Sequence, residues 1–189
     1  MEKYFNQFLH TFSKFTYFCC MKNNITIRRA SVDDCELINE MAWKVFPATY
    51  EKILTKEQND FMMDWMYSIP NLRKQMNEGH LYFILFLENG SVPAGYVSIQ
   101  KQGEDLFHLQ KIYVLPEFQG RNLGKALFEH AVAEIKLDHP EPCTMELNVN
   151  RNNKAVAFYE KMGMHKARQG DFPIGKGFYM NDYIMAMDI

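Results

Sequence analysis

Hydrophobic and polar residues follow two different periods along this chain, and these periods predict its strands and helices. Residues Ile25–Arg29 alternate, which is typical of a strand. Two denser apolar runs, Leu81–Leu87 and Ala94–Gln100, flank the dipeptide Asn89-Gly90, and Asn-Gly between apolar runs predicts a hairpin. Further strands are predicted over Phe107–Leu115, Cys143–Val149, Met164–Arg168 and Tyr179–Met187.

Several other segments carry apolar residues at helical spacing. The first follows Ser31, a good N-cap residue, and we expect Pro47 to end it. Thr55 and Gln58 fit the capping box of a second helix. The segment Gly170–Gly177 is rich in glycine and contains a proline, so it is predicted to be a loop. Further helices are predicted over Pro70–Gly79, Leu123–Lys136 and Asn152–Met162.

The order of these elements indicates an α/β fold. A strand and several helices are followed by three strands, then by a helix, a strand, a helix and two strands. Such an order predicts a mixed sheet with helices on both faces. Residues 21–189 are interpreted as a single domain. Met1–Cys20 is interpreted either as an extra amphipathic helix or as a dispensable leader before Met21, because phenylalanines fall on one helical face without forming a signal peptide.

Composition narrows the functional classes. The chain has 189 residues, of which 47% are hydrophobic, and a formal net charge of −2. A nucleic-acid-binding protein would usually show a basic face, so no nucleic-acid partner is expected. No run reaches the ~18 apolar residues of a membrane span. Four cysteines without metal or disulfide spacing predict reduced thiols, no metal and a cytoplasmic protein. Self-association as a homodimer through an edge strand is left open.

The segment between the strand Phe107–Leu115 and the next helix predicts an anion site. It reads Gln119-Gly120-Arg121-Asn122-Leu123-Gly124. Glycines let a ligand approach the backbone, and the first amides of a helix have no intrahelical partner. A phosphate or pyrophosphate suits such a turn, and Arg121 and Lys125 add positive charge. A plain glycine-bearing turn is the alternative interpretation.

Two motifs in this order resemble those of the GCN5-related N-acetyltransferase (GNAT) family. The turn is similar to the family's acetyl-CoA loop, Gln/Arg-x-x-Gly-x-Gly/Ala, with Gln119 and Gly124 in place and Asn122 at the middle glycine. The second motif, from Asn152 to Gly163, looks like Asn-x-x-Ala-x-x-Phe-Tyr-Glu-Lys-x-Gly-Phe, with methionine at the last position. The resemblance covers 25–187 and implies a mixed, mostly antiparallel sheet.

The resemblance also implies acetyl-CoA as co-substrate, with no metal. The pantetheine arm would lie along one strand and the pyrophosphate on the turn that follows. The implied cofactor-binding residues are Ile112, Tyr113, Val114, Gln119, Gly120, Arg121, Asn122, Leu123, Gly124, Lys125 and Asn152.

Two catalytic residues are implied. Tyr159 matches the family tyrosine that protonates or hydrogen-bonds the departing thiolate, although a tyrosine on an apolar helix face is often a core residue. A phenol has a pKa of ~10 and a thiol ~8.5, so stabilisation of charge on sulfur is favoured over early complete proton transfer. His108 stands where several family members carry a catalytic glutamate, and a pKa of ~6.5 suits a general base. An exposed histidine at a strand end is the alternative.

The acceptor is expected to be a small primary amine. The segments Gln110–Val114 and Phe178–Met185 look like those of bacterial spermidine-type polyamine acetyltransferases. We expect Phe46–Asp60 and Gln169–Asn181 to wall the acceptor pocket and to supply Tyr50, Glu51, Phe172 and Tyr179. Carboxylates that would attract a cation, or would only be solvated loop charges, are Glu104, Asp105, Asp171 and Asp182. An amino acid, an antibiotic or a protein N-terminus stays open as acceptor. So does an acetyl-CoA sensor without turnover, or a structural domain without a ligand.

Overall fold

A seven-stranded sheet organises the protein, and the computed structural model describes residues 25–189. The strand order is β1-β2-β3-β4-β5-β7-β6. All neighbours are antiparallel except the central pair β4 and β5, which is parallel. The mixed, mostly antiparallel sheet expected from the sequence is therefore confirmed. The strands are β1 (Thr26–Arg29), β2 (Leu81–Leu87), β3 (Val92–Lys101), β4 (Leu106–Val114), β5 (Thr144–Asn150), β6 (His165–Gly175) and β7 (Phe178–Asp188).

Helices cover both faces of the sheet, as expected. One face carries the first three helices and the other face carries the last two. Side chains of β2 alternate between these faces: Tyr82 and Ile84 pack with the first three helices, and Phe83 with α4. A strand buried on both faces explains the continuous apolar run in its sequence. The helices are α1 (Cys35–Tyr50), α2 (Lys56–Tyr67), α3 (Ile69–Asn77), α4 (Leu123–Asp138) and α5 (Ala155–Lys161).

The two central strands separate after a short paired stretch. β4 and β5 are in register only from Leu106↔Thr144 to His108↔Glu146. Beyond His108, β4 stays paired with β3, whereas β5 stays paired with β7 as far as Asn150. The sheet therefore forks. The edge of β4 from Leu109 to Val114 has no strand partner on the β5 side.

An irregularity in β4 changes which residues face the helices. Ser98 pairs with Lys111 but the next residue of β3, Ile99, pairs with Leu109, so Gln110 is an extra residue in a β-bulge. Leu109 packs on the α4 face, and Lys111 and Tyr113 then lie on the face covered by α1–α3. The bulge thus directs Lys111 towards those helices.

Pro47 does not end the first helix, contrary to our prediction. The helix continues to Tyr50, and Thr49 Oγ1 donates to the carbonyl of Val45 at 2.7 Å. The ring of Tyr50 packs 4.5 Å from that of Phe46, centroid to centroid. Aromatic contact of this last turn offsets the hydrogen bond that proline cannot donate.

Two other predictions are wrong: the type of one segment and the start of one helix. The segment predicted as a loop, Gly170–Gly177, is mostly strand: β6 runs to Gly175 and turns at Lys176 and Gly177, which both have positive φ. Pairing with β7 overrides the glycine signal. The helix expected from Asn152 begins at Ala155, because the side chain of Asn153 accepts from the Ala155 amide at 2.9 Å.

Other sequence features fall partly outside the described residues. Met1–Cys20, with both interpretations of it, lies outside residues 25–189. Within those residues, the helices are too short or too polar to cross a membrane. Cys35 and Cys143 are buried free thiols, and burial raises the pKa of both. The single domain over 21–189, the homodimer and the cytoplasmic location stay predictions.

Candidate active site

A cleft of about 620 Å³ fills the fork between β4 and β5, and we call it the fork cleft. The open edge of β4 forms one wall, α5 with the segment leading to it forms the opposite one, and the end of α1 with the residues up to Ile53 forms a third. Ile112, Tyr113 and Val114 line it on the β4 side, and Asn152 and Tyr159 on the opposite side. Backbone groups on an unpaired strand edge can bond an extended ligand as an added strand would. The fork cleft therefore suits a long, narrow molecule with amide groups.

The turn from β4 to α4 adjoins this cleft through Gln119, whereas the other predicted residues of the turn, 120–125, are not among those that line it. Gly120 has a φ of +77° and Asn122 a φ of +60°, so both are left-handed. No backbone carbonyl among residues 25–189 accepts from the amides of Gly120–Gly124. These free amides, at the positive end of the α4 dipole, are complementary to a phosphate.

The predicted side chains of this turn have different contacts and different degrees of burial. Gln119 lines the cleft and donates Nε2 to the Val114 carbonyl at 3.1 Å, which ties the turn to the end of β4. Leu123 is buried in the core, so its side chain is not available to a ligand. Arg121 lies against Phe118, and Lys125 pairs with Glu129 on the exposed side of α4. The two cations stand beside the amides without being buried.

Tyr159 is buried in the wall of the fork cleft. Its ring packs 5.3 Å from that of Phe158 in an edge contact. Burial, and next the neighbouring phenol of Tyr50, raise the pKa of Tyr159 above its ordinary value. The phenol therefore stays protonated at neutral pH. A group of this kind donates a hydrogen bond to a developing anion more readily than it gives up a proton.

His108 belongs to a polar chain that crosses the fork. Its Nε2 lies 3.1 Å from Asn148 Oδ1, and Asn148 Nδ2 donates to Asp182 Oδ2 at 3.4 Å. Because the carboxylate accepts from the amide nitrogen, Asn148 turns its oxygen to the imidazole, and Nε2 carries the proton. The lone pair is then on Nδ1, which has no hydrogen-bond partner among the described residues.

Burial governs the charge of this chain. It lowers the pKa of His108, which is therefore neutral at pH 7. Asp182 is 1% exposed, and burial raises the pKa of its carboxyl to about 6, against the opposing effect of the Asn148 hydrogen bond. At pH 7 the carboxylate is ionised, and it holds Asn148, and through it the imidazole, in one orientation.

A second cavity, of about 630 Å³, lies between the sheet and helices α1–α3, and we call it the helix-side cavity. Aromatic rings of Phe46, Tyr50, Tyr67 and Tyr113 form much of its wall. His108 lines this cavity and not the fork cleft. The two cavities share the residues Tyr50, Gln110, Lys111, Tyr113 and Asn148. Two ligands, one in each cavity, would therefore meet beside the bulge of β4.

The helix-side cavity uses some predicted residues and omits others. Tyr50 and Phe172 line it, whereas Glu51 lines the fork cleft and Tyr179 lines neither. The β6–β7 hairpin, and not a loop, supplies Phe172. Residues that sequence reasoning missed here are Gln75, His80, Lys111 and the bidentate pair Glu146–Arg168, whose N–O distances are 2.8 and 2.7 Å.

The carboxylates expected to attract a cation either contact other side chains or lie away from both cavities. Asp105 lies 3.1 Å from His139, and neither it nor Glu104 lines the two cavities. Asp171 accepts from Arg151 and Asn181. Asp182 holds Asn148. Within the described residues, no group of three His, Cys, Asp or Glu side chains is arranged to hold a metal ion.

Comparisons with known proteins define the class. Residues 49–179 match the family model described as "Acetyltransferase (GNAT) domain". This chain belongs to the GNAT family of N-acetyltransferases, so the family and the enzyme class expected from the sequence are confirmed.

Relatives within the family differ in their acceptors. The chain is 31% identical over 115 residues to the ribosomal protein bS18-alanine N-acetyltransferase of Salmonella typhimurium, covering 60% of this chain and 76% of that one. It is 26% identical over 145 residues to the spermidine N(1)-acetyltransferase of Thermoplasma acidophilum, covering 74% and 88%. The PaiA N-acetyltransferase from Thermoplasma acidophilum, solved with coenzyme A, shares the fold with a TM-score of 0.71 and 24% identity, covering 87% of this chain and 99% of that one.

Proposed function

We propose that the protein transfers the acetyl group of acetyl-CoA to a primary amine by direct attack within a ternary complex. The meeting of two cavities at the β4 bulge carries this proposal. A donor in the fork cleft and an acceptor in the helix-side cavity would bring thioester and amine together there. Such positioning supplies much of the rate enhancement of a two-substrate reaction.

The fork cleft and the turn that adjoins it have the groups that coenzyme A requires. The free amides of Gly120–Gly124 are complementary to the pyrophosphate, with Arg121 and Lys125 beside it. The pantetheine amides would bond the open edge of β4 at Ile112–Val114. Gln119 would hold the turn, and Asn152 would border the arm from the opposite wall. When bound, the thioester supplies an activated acyl carbon.

Direct transfer fits the chemistry of the lining. No cysteine among the described residues lines either cavity, so no thiol is placed to accept the acetyl group. The amine nitrogen bonds to the acyl carbon, the carbon–sulfur bond breaks with its electron pair on sulfur, and the amine loses one proton. We assign Tyr159 to the sulfur, as the donor of a hydrogen bond to the thiolate.

We assign His108 to the amine proton. A primary amine with a pKa of ~10.4 is almost entirely protonated at pH 7, so a base assists the attack. The imidazole is neutral, lines the helix-side cavity and has its lone pair on Nδ1. Because Nδ1 is buried, the proton reaches it through a water molecule or after substrate binding has moved the ring.

The polyamine acceptor expected from the sequence stays a prediction. The relative named spermidine N(1)-acetyltransferase supports it. The engagement of Asp105, Asp171 and Asp182 with other groups speaks against a site for a polycation. The relative named as a ribosomal protein bS18-alanine N-acetyltransferase supports a peptide N-terminus instead. We therefore propose a primary amine as the acceptor class. A panel of amines determines which kind of primary amine it is.

A thiol-release assay with acetyl-CoA and a panel of amines tests the proposal. The panel contains spermidine, an alanine-initiated peptide, amino acids and an aminoglycoside. We expect at least one amine to release coenzyme A, and coenzyme A alone to raise the melting temperature. Stabilisation at 100 times Kd would be about 2.7 kcal/mol. A raised melting temperature without turnover would indicate a sensor, and no shift would mean that the fork cleft binds no coenzyme A.

A further inference from the structure

The helix-side cavity contains one cation without a counter-ion. Its other charged groups are balanced: Glu146 pairs with Arg168, and Glu78 lies 3.8 Å from Lys74. Lys111 is absent from the ion pairs formed among residues 25–189. Cations almost never lose their hydration in a protein without a paired anion, so this lysine requires an explanation.

The surroundings of Lys111 leave part of its hydrogen-bonding capacity unused. It is 8% exposed, and Nζ donates to Gln75 Oε1 at 2.7 Å. That same oxygen also accepts from Tyr82 Oη at 2.7 Å. The rings of Tyr67 and Tyr82 lie 5.7 and 5.4 Å from Nζ, and rings attract a cation without replacing an anion. An ammonium has three donors, and one of them is used here.

Neighbouring groups do not compensate the charge. His80 lines the same cavity, and burial, followed by the charge of Lys111, lowers its pKa to about 4, so it is neutral. Burial lowers the pKa of Lys111 to about 7. An anion beside Nζ would restore its charge. A second ammonium would be repelled, because interactions between charges are strong where water is excluded.

We propose that the acceptor amine carries a carboxylate, which Lys111 binds in the helix-side cavity. The inference rests on the proposed acetyl transfer and names its substrate class: a small amino acid with a free carboxylate, not a polyamine. Lys111 lines both cavities, so a carboxylate bound to it stands close to the meeting point of donor and acceptor. The charge of Lys111 would then select the acceptor.

Matched pairs of amines test this proposal. 4-Aminobutyrate is compared with 4-aminobutanol, and 6-aminohexanoate with 6-aminohexanol, because each pair differs in the carboxylate and has amines of similar basicity. Glycine and spermidine extend the range of length and charge. We expect kcat/KM to be about 10- to 100-fold higher for the carboxylate member of at least one pair, the range of a charged hydrogen bond.

Substitution of Lys111 tests whether this residue causes the preference. Lys111→Met should abolish the preference by lowering kcat/KM for the carboxylate only, and Lys111→Arg should retain part of it. Lys136→Met is the control, because Lys136 lies at the exposed end of α4 and donates to Glu141 O. Equal kcat/KM within every wild-type pair would overturn the proposal. Equal losses for both members in Lys111→Met and Lys111→Arg would do so too, and would indicate proton transfer by Lys111.

A measurement on the wild-type protein covers the case in which Lys111→Met does not fold. Butyrate and hexanoate, which lack the amine, should compete with the acceptor, whereas butanol and hexanol should not. Absence of inhibition by the acids would contradict the proposal. The outcomes remain separable from the proposed function, since turnover of amines without carboxylate preference leaves acetyl transfer intact, and no turnover with any amine removes both.

Discussion

The two cavities on either side of the β4–β5 fork have nearly the same volume, about 620 and 630 Å³, but they are built differently. The fork cleft offers the backbone of an open strand edge, and the turn that adjoins it at Gln119 adds the free amides of Gly120–Gly124. The helix-side cavity offers side chains: aromatic rings, Lys111, and the pair Glu146–Arg168. The difference indicates that the fork cleft is suited to a ligand of fixed chemistry. The helix-side cavity can be varied by substitution at the residues that line it alone, whereas the five shared residues affect both sides.

The largest expected effect tests the catalytic part of the fork cleft. Tyr159→Phe removes the hydrogen bond to sulfur, and we expect kcat to fall about 100-fold, the usual cost of losing one donor to a developing anion. The affinity for coenzyme A should hold, because the backbone that binds it is unchanged. Steady-state kinetics and calorimetric titration measure the two effects.

Tyr183→Phe is the control for this substitution, since Tyr183 lines neither cavity. An unchanged kcat in Tyr159→Phe would remove the assigned role. A parallel loss of coenzyme A affinity would move the role of Tyr159 from chemistry to binding.

The next effect tests whether the polar chain beside the helix-side cavity is maintained at the expense of stability. Asp182 has a folded-state pKa raised to about 6, above its unfolded value of ~3.9. Its stabilising contribution is therefore present below pH ~4 and is lost as pH rises through 6. Asp182→Asn should be more stable than wild type at pH 7, by about 2–3 kcal/mol, and of similar stability at pH 4.

Urea unfolding at the two pH values measures this difference. A stability gap that is the same at pH 4 and pH 7 would show that the Asp182 carboxyl titrates as it does in the unfolded chain. Activity of Asp182→Asn reports separately on whether the ionised carboxylate is needed to orient Asn148.

A smaller effect separates His108 from its structural alternative. Burial lowers the pKa of His108, so the part of the wild-type fall in kcat/KM that comes from protonation of this imidazole should lie below pH ~6.5. In His108→Gln, kcat/KM at pH 7 should decrease about tenfold, the lower end of what a general base contributes. The loss should shrink as pH approaches the amine pKa. A loss that is independent of pH between 6 and 9 would reject general-base action.

The smallest effects compare two glycines of the coenzyme A turn. Gly120 has a positive φ, so Gly120→Ala should lower stability by about 1 kcal/mol. Gly124 lies in α4, and a Cβ there would lie 3.7 Å from Phe158, an ordinary contact, so Gly124→Ala should raise stability slightly, by about 0.5 kcal/mol. It should also weaken coenzyme A binding by several-fold if the ligand backbone approaches there. Thermal melts with and without coenzyme A distinguish the two.

The contrast between the cavities also explains what could be predicted from the sequence. The turn after β4 is formed by residues that are neighbours in the chain, among them Gln119, Gly120 and Gly124. Its motif could therefore be recognised from the sequence. The helix-side cavity brings together residues from α1, α2, α3, β4 and both strands of the last hairpin. Nothing in the sequence places Gln75 next to Lys111.

The β-bulge at Gln110 explains why the alternation of the sequence did not indicate the position of Lys111, the residue on which the acceptor proposal rests. Strict alternation along β4 would place Lys111 on the same face as Phe107 and Leu109, which pack with α4. The extra residue reverses the alternation and turns Lys111 to the other face, beside Tyr67 and Tyr82. Tertiary pairing also overrode the local signals at Pro47 and Gly170–Gly177, where aromatic contact and the β7 partner determined the outcome.

A crystal structure of the protein with coenzyme A tests the central claim most directly. We expect the pyrophosphate on the amides of Gly120–Gly124 and the pantetheine along Ile112–Val114. The sulfur should lie within about 3.5 Å of Tyr159 Oη, the reach of a hydrogen bond to sulfur. A sulfur atom outside the fork cleft, or a phosphate bound away from the β4–α4 turn, would contradict the account.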